Sequence, residues 1–154
     1  MPEKTDNKIA LVTGATGFVG SHLVRRLIKE GWKTHIITRS SSSLTQIEDV
    51  ADKIIVHQHD GTTSSMINII KDAEPDVVFH LASLFLAQHT SEDVEKLVQS
   101  NLLFGTQLAE AMTLQGVTKL INTIMAGVVI TVGLVHDIAG SYKTDQHRNI
   151  LATL

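Results

Sequence analysis

Apolar positions along this chain follow two rhythms in turn. The run IALVT, residues 9–13, is continuously apolar and ends at Gly14, the pattern of a strand buried on both faces of a parallel sheet. Over residues 18–30 the apolar positions Phe18, Val19, Leu23, Val24, Leu27 and Ile28 recur at helical spacing, and Gly31 supplies the stop. The rhythm then repeats. Strands are predicted at 33–38, 53–58, 76–82 and 119–123. A helix over 62–73 turns Met66, Ile67, Ile69 and Ile70 inward and is broken at Pro75, and a long helix over 91–115 ends at Gly116. The serines Ser40–Ser43 read as a loop leading into a helix.

Strands alternating with helices over short connections predict an α/β fold, a Rossmann-like doubly wound parallel sheet with helices on both faces. The pattern holds over residues 1–123, read as a dinucleotide-binding domain. Residues 124–154 are a divergent C-terminal segment. Its apolar, glycine-punctuated stretch IMAGVVITVGLVHDIAG has no clear period, and TDQHRNILATL reads as a short helix capped by Thr144 or Asp145.

Composition narrows the class. Apolar residues make up 43% of the 154 and charged residues 19%, an ordinary globular balance. The net charge of −3 is scattered, with no basic stripe for nucleic acid. The absence of cysteine excludes disulfides and thiolate chemistry and fits a reducing compartment. The polar N-terminus is unlike a signal peptide, and the most apolar run, residues 126–135, is too short to span a bilayer as a helix. A cytoplasmic protein without membrane or nucleic-acid partners is expected.

The strongest chemical signal is VTGATGFVGSHLV, with Gly14, Gly17 and Gly20 between the first strand and first helix. The first glycine permits a tight turn, the second lets backbone approach a pyrophosphate, and the third lets helix and strand pack closely. The helix N-terminus then presents free N–H groups to the anion. Three later stretches stand in order: QHDGT with Asp60, FHLAS over 79–83, and QSNLLFGTQLAEAM with Asn101, Gly105 and Thr106. With these motifs, residues 8–123 resemble the extended branch of the short-chain dehydrogenase/reductase superfamily, which holds the NAD(P)-dependent sugar-nucleotide epimerases and dehydratases. The resemblance implies a dinucleotide held by Gly14, Thr16, Gly17, Phe18, Val19 and Gly20. It implies adenine contact at Asp60 and Gly61, while Asp60 also reads as a cap for the helix opening at Thr62, and contact with the nicotinamide ribose and pyrophosphate along Leu81, Ala82 and Ser83. Asn101, Gly105 and Thr106 correspond to the family's N-x-x-G-T stretch. Asn101 is expected to fix the neighbouring strand and to belong to the same site. A homodimer through the 91–115 helix and a nucleotide-sugar substrate are implied in the same way.

Cofactor choice follows from charge. An NAD site usually carries Asp or Glu at the end of the second strand, to bind the ribose 2′-hydroxyl. Here Arg39 is followed by Ser40 and Ser41, a set suited to a 2′-phosphate. NADP is therefore expected over NAD. His57 and His59 point to one face of their strand, but two histidines without a third ligand predict no metal. His80 reads as a buried strand-end histidine with backbone contacts.

The catalytic set is incomplete. Chemistry in the resembled family needs Tyr and Lys four residues apart on one helix, so that the ammonium lowers the phenol pKa. Tyr142 is the only tyrosine, and Gln146 stands four residues later. Lys143 lies about 100° around a helix from it. Thr123 survives at the end of the fifth strand, but Ile124, Met125 and Ala126 follow it. Thr123 and Tyr142 are thus weak catalytic candidates, and impaired catalysis is expected. A chain truncated before the substrate domain, with residues from Ile124 onward replaced or frame-shifted, accounts for the break. A non-catalytic dinucleotide-binding regulator or sensor is the alternative.

Overall fold

A computed structural model describes residues 8–123. They form a five-stranded parallel sheet with helices on both faces. The strands are β1 (Ile9–Thr13), β2 (Lys33–Arg39), β3 (Ile54–His59), β4 (Val77–His80) and β5 (Leu120–Asn122), in the spatial order β3-β2-β1-β4-β5. The chain moves outward from β1 on one side and returns to fill the other. A topological switch point therefore lies between β1 and β4, where open α/β sheets bind their ligands.

The continuous apolar runs are explained by burial on both faces. Ala10 and Val12 of β1, with Ile36 of β2, face α1 (Phe18–Lys29) and meet Val24 and Leu27. Leu11 and Ile37 face the opposite way, onto Met66, Ile69 and Ile70 of α2 (Thr63–Ala73) and Leu108, Ala111 and Met112 of α4 (Phe104–Leu114). Each Val, Leu, Ile or Met among them contributes about 1.5–3 kcal/mol on burial, so alternation along one strand builds two cores at once.

Three elements differ from the sequence expectation. The segment after the serine loop is a 3₁₀ helix, Thr45–Lys53, with a break at Ile47. It is tied to α1 by Arg25, whose guanidinium donates to both carboxylate oxygens of Asp49, at 2.9 and 2.6 Å, and to the carbonyl of Gln46 at 2.7 Å. The expected strand over 76–82 is shorter, because the Leu81 amide is shared between the Thr13 carbonyl and hydroxyl, each at 3.2 Å, and the Ala82 amide turns to the hydroxyl alone, at 3.1 Å. The expected single helix over 91–115 is composite. A 3₁₀ turn (Ser91–Asp93) opens it, followed by α3 (Val94–Val98), a π-turn (Gln99–Leu103) and α4. A π-turn accommodates one residue more than an α turn. Three residues, not two, separate Asn101 from Gly105, so the stretch is one residue longer than N-x-x-G-T, and the π-turn overlaps its first part, residues 101–103.

Tyr142 and the predicted short C-terminal helix lie outside the described residues. Among the described residues, no helix is long and apolar enough to cross a membrane.

Candidate functional site

At the C-terminal end of β1 the chain turns through Gly14 into α1. Gly14 has φ +70°, and a Cβ there would stand 2.7 Å from the backbone nitrogen of Ala82. Only glycine allows the first turn to press this closely on the segment leaving β4. At Gly20 a Cβ would stand 2.1 Å from the Gly14 carbonyl oxygen, so helix and turn meet backbone to backbone. Gly17 differs. Its backbone is extended, and an added Cβ would meet only the Gly14 oxygen, at 3.4 Å. Gly14 and Gly20 are required by internal packing. Gly17 faces outward, where its bareness leaves room for another molecule.

Gly17 is also the N-cap of α1. No side chain caps that end, and the first turn carries no acidic residue. The first N–H groups of a helix lack intrahelical partners, and the helix dipole places partial positive charge there. The arrangement suits an anion. Thr16 is half-buried beside the turn, while Phe18 is 80% exposed and Val19 also projects outward, so apolar surface stands at the crevice mouth.

The other wall is the segment after β4. Thr13 links the two. Its hydroxyl accepts from the amides of Leu81 and Ala82 and lies 2.7 Å from Nδ1 of His80. With both lone pairs engaged, the hydroxyl proton points to Nδ1, which leaves the His80 proton on Nε2. Burial lowers the His80 pKa, in agreement with a neutral ring. The expected backbone contact of the His80 ring is thus a side-chain contact. Leu81 and Ala82 line the crevice half-buried, and Ser83 is exposed. The next residue, Leu84, is held by Asn101. The side-chain oxygen of Asn101 accepts from the Leu84 amide at 2.8 Å, and its NH₂ donates to the Leu84 carbonyl at 2.9 Å. Asn101 therefore anchors the segment beyond the strand, with both ends of its amide committed to that backbone.

On the far side, β2 ends at Arg39, which is exposed. The serines close a tight turn, with the Ser42 amide donating to the Arg39 carbonyl at 3.0 Å and the Arg39 amide to the Ser42 hydroxyl at 3.2 Å. Ser40 is exposed at the tip. The carboxylate of Asp49 is occupied by Arg25, so it is not free to serve as a ribose ligand.

Asp60 and Gly61 form the turn after β3. One Asp60 oxygen accepts from the Thr62 amide at 2.8 Å and from its hydroxyl at 2.7 Å. These bonds hold the Asp60 carboxyl below its usual pKa. Thr62 is itself the N-cap of α2, its hydroxyl accepting from the Ser65 amide at 3.1 Å. Asp60 supports the cap rather than being the cap, and it remains exposed beside the Arg39 end of the neighbouring strand. Sequence reasoning missed Gln107 of α4. Buried to 6% exposure, it donates to the Gly61 carbonyl at 2.9 Å. A polar residue at a core-facing helical position was the only signal for it.

Behind the site the sheet face toward α2 carries histidines. His35 Nδ1 and His57 Nε2 lie 2.8 Å apart. Burial, with His57 and Lys33 nearby, pushes the His35 pKa down to about 4. His59 is buried against the edge of Phe104. Among the described residues, no three His, Cys, Asp or Glu side chains are grouped to hold a metal. Thr123 closes β5, its amide donating to the His80 carbonyl at 3.1 Å.

The profile of the NAD dependent epimerase/dehydratase family matches residues 10–139. A UDP-glucose 4-epimerase of Mycolicibacterium smegmatis is 31% identical over 122 residues, covering 77% of this chain and 39% of that protein. A GDP-mannose 4,6-dehydratase of Sinorhizobium fredii is 28% identical over 150 residues, covering 91% of this chain and 43% of the relative. The chain thus spans less than half the length of these relatives. Among solved structures, the UDP-glucose 4-epimerase of Thermus thermophilus in complex with NAD superposes with a TM-score of 0.64 at 28% identity, covering 72% of this chain and 35% of that one. The Thermotoga maritima UDP-glucose 4-epimerase with UDP-glucose gives 0.65 at 27%, covering 73% and 36%.

Proposed function

Because this chain belongs to the NAD dependent epimerase/dehydratase family, we propose that its β1–α1 turn holds the pyrophosphate of a nicotinamide dinucleotide and that its activity is directed at a nucleotide sugar. The observation that carries this reading is the uncapped N-terminus of α1 behind Gly17, at the switch point of the sheet. A related epimerase holds NAD, and another holds UDP-glucose. When bound, the dinucleotide supplies hydride transfer. The residues here bind and orient it: the α1 amides at the phosphates, Asp60 and Gly61 at the adenine end, and Leu81, Ala82 and Ser83 along the nicotinamide half.

NADP is preferred to NAD in this reading. Arg39 stands free of any carboxylate partner among the described residues, and its charge complements a 2′-phosphate. Titration with NADPH and NADH tests this. NADPH is expected to bind about tenfold tighter, with Arg39→Asp reversing the order. Tighter binding of NADH by the unaltered protein would contradict the preference while leaving the dinucleotide site intact.

Catalysis is impaired in this reading, since Gln146 replaces the needed lysine four residues after Tyr142. The same substitution favours a second reading, a dinucleotide-binding regulatory or sensor module. Turnover of UDP-glucose or GDP-mannose separates the two. Exposed Val94, Val98, Leu102 and Leu103 support a homodimer through this composite helix, which a solution mass measurement tests. The cysteine-free composition agrees with a cytoplasmic setting.

A further inference from the structure

We propose that Gln107 is a positioning residue for the adenine end of the dinucleotide, acting through the carbonyl of Gly61; this rests on the dinucleotide-binding reading above. Three observations carry it. First, Gln107 is a polar side chain buried in the layer between α4 and the sheet, where it has no local reason to be. Its neighbours Leu108, Ala111 and Met112 are the apolar core of that layer. Burying an amide costs free energy unless its hydrogen bonds are made, so its partner matters. Second, that partner is not on its own helix. The Nε2 group donates to the Gly61 carbonyl at 2.9 Å, with the Thr63 hydroxyl at 3.4 Å, forty-six and forty-four residues away in sequence. Third, Gly61 has φ +94° and open space where a Cβ would stand, so no packing of its own holds the turn. The Asp60 carboxylate fixes only Thr62, within the turn. Among the described side chains, Gln107 ties the turn to the body of the protein from a remote element.

The consequence is geometric. Asp60 and Gly61 stand where β3 ends, the adenine wall of the proposed site, and Asn101, earlier in the same composite helix, fixes the β4 wall through Leu84. The helix passing beneath the sheet therefore sets both walls. Gln107 sets the one that receives the adenine, and it does so without touching the ligand.

The test compares Gln107→Met, which keeps length and packing but has no donor, with Gln107→Asn, which keeps the amide but is one methylene short. Thr106→Ala is the control, since Thr106 is exposed and bonds only its own helix. Affinities for NADPH and for ADP-ribose are measured by titration. Amide exchange at Gly61, Thr62 and Thr63 is measured on the ligand-free proteins. The expected result is a loss of about tenfold in affinity for both ligands in Gln107→Met, a smaller loss in Gln107→Asn and none in the control. Exchange should quicken at the three amides but not at Leu84. A purely structural role would change exchange throughout α4 and leave the ligand affinities of the folded protein equal. Unchanged affinity in Gln107→Met, with the unaltered protein binding normally, overturns this inference alone. An unaltered protein that binds neither ligand overturns the proposed function and this inference with it.

Discussion

Two strand-to-helix turns lie along the same edge of the sheet and solve the same problem in opposite ways. At the turn from β3 into α2, the chain satisfies its own helix N-terminus. Thr62 caps Ser65, and Asp60 in turn holds Thr62. At the turn from β1 into α1, the cap position is a glycine, no side chain reaches the free amides and no acid lies in the first turn. A capping residue typically contributes about 1 kcal/mol. The α1 turn forgoes that contribution at the switch point of the sheet. The uncapped end leaves its amides available to an anion, as the proposed function requires, whereas the capped end is satisfied within the chain.

The largest effect should come from filling the closed part of the open turn. Gly20→Ala places a Cβ 2.1 Å from a backbone oxygen. Neither atom belongs to a flexible side chain, so the helix must shift, at a cost of about 3 kcal/mol or more by denaturant unfolding. Stability equal to that of the unaltered protein would show that the turn does not press on the helix as described.

Acid should separate the two sides of the sheet. The face toward α1 carries apolar and threonine side chains, while the face toward α2 and α4 holds His35, His57, His59 and His80. Lys33 stands near His35, and Asp72 of α2 near His57. His35 is lowered from 6.5 to about 4, so the folded protein keeps it neutral where the unfolded chain takes up a proton. The stability from this group is therefore complete above about pH 6.5 and is lost as the pH falls toward 4. His57 and His80 shift in the same direction and add to the loss. The thermal midpoint should fall through that window, with amide protection in α2 lost before that in α1. Simultaneous loss in both helices would remove the distinction.

The smallest effect should come from the capped turn. Thr62→Ala removes the α2 cap and one acceptor's partner, and should cost about 1 kcal/mol. Dinucleotide affinity should change less than in Gln107→Met, because Gln107 still holds Gly61. A larger loss of affinity than of stability would place Thr62 in the site.

Much of this was legible in the sequence. The runs around Leu11, Ile36 and Val78 read as strands because burial on both faces leaves no polar alternation. The glycine spacing read as a phosphate turn because each glycine answers a separate steric demand. What was not legible depends on contacts between distant segments. The double acceptance by Thr13, the clasp of Asn101 on Leu84 and the reach of Gln107 to Gly61 leave no periodic signature. The π-turn is marked only by one residue too many before Gly105. Asp60 was open to two readings, as cap or as adenine contact. It bonds Thr62 as support for the cap while remaining exposed, an arrangement compatible with both.

The most direct measurement is thermal unfolding of the unaltered protein and of Gly17→Asp, each with and without NADPH and NADH. An aspartate at that position gives α1 the cap and the negative charge it lacks, and the extended backbone of Gly17 accepts it. Without ligand, Gly17→Asp should be as stable as the unaltered protein or slightly more so. With ligand at a hundred times its dissociation constant, the unaltered protein should gain about 2.7 kcal/mol and the variant nothing. A ligand shift of equal size in both proteins, or none in the unaltered protein, would contradict the claim that the uncapped turn is a dinucleotide site.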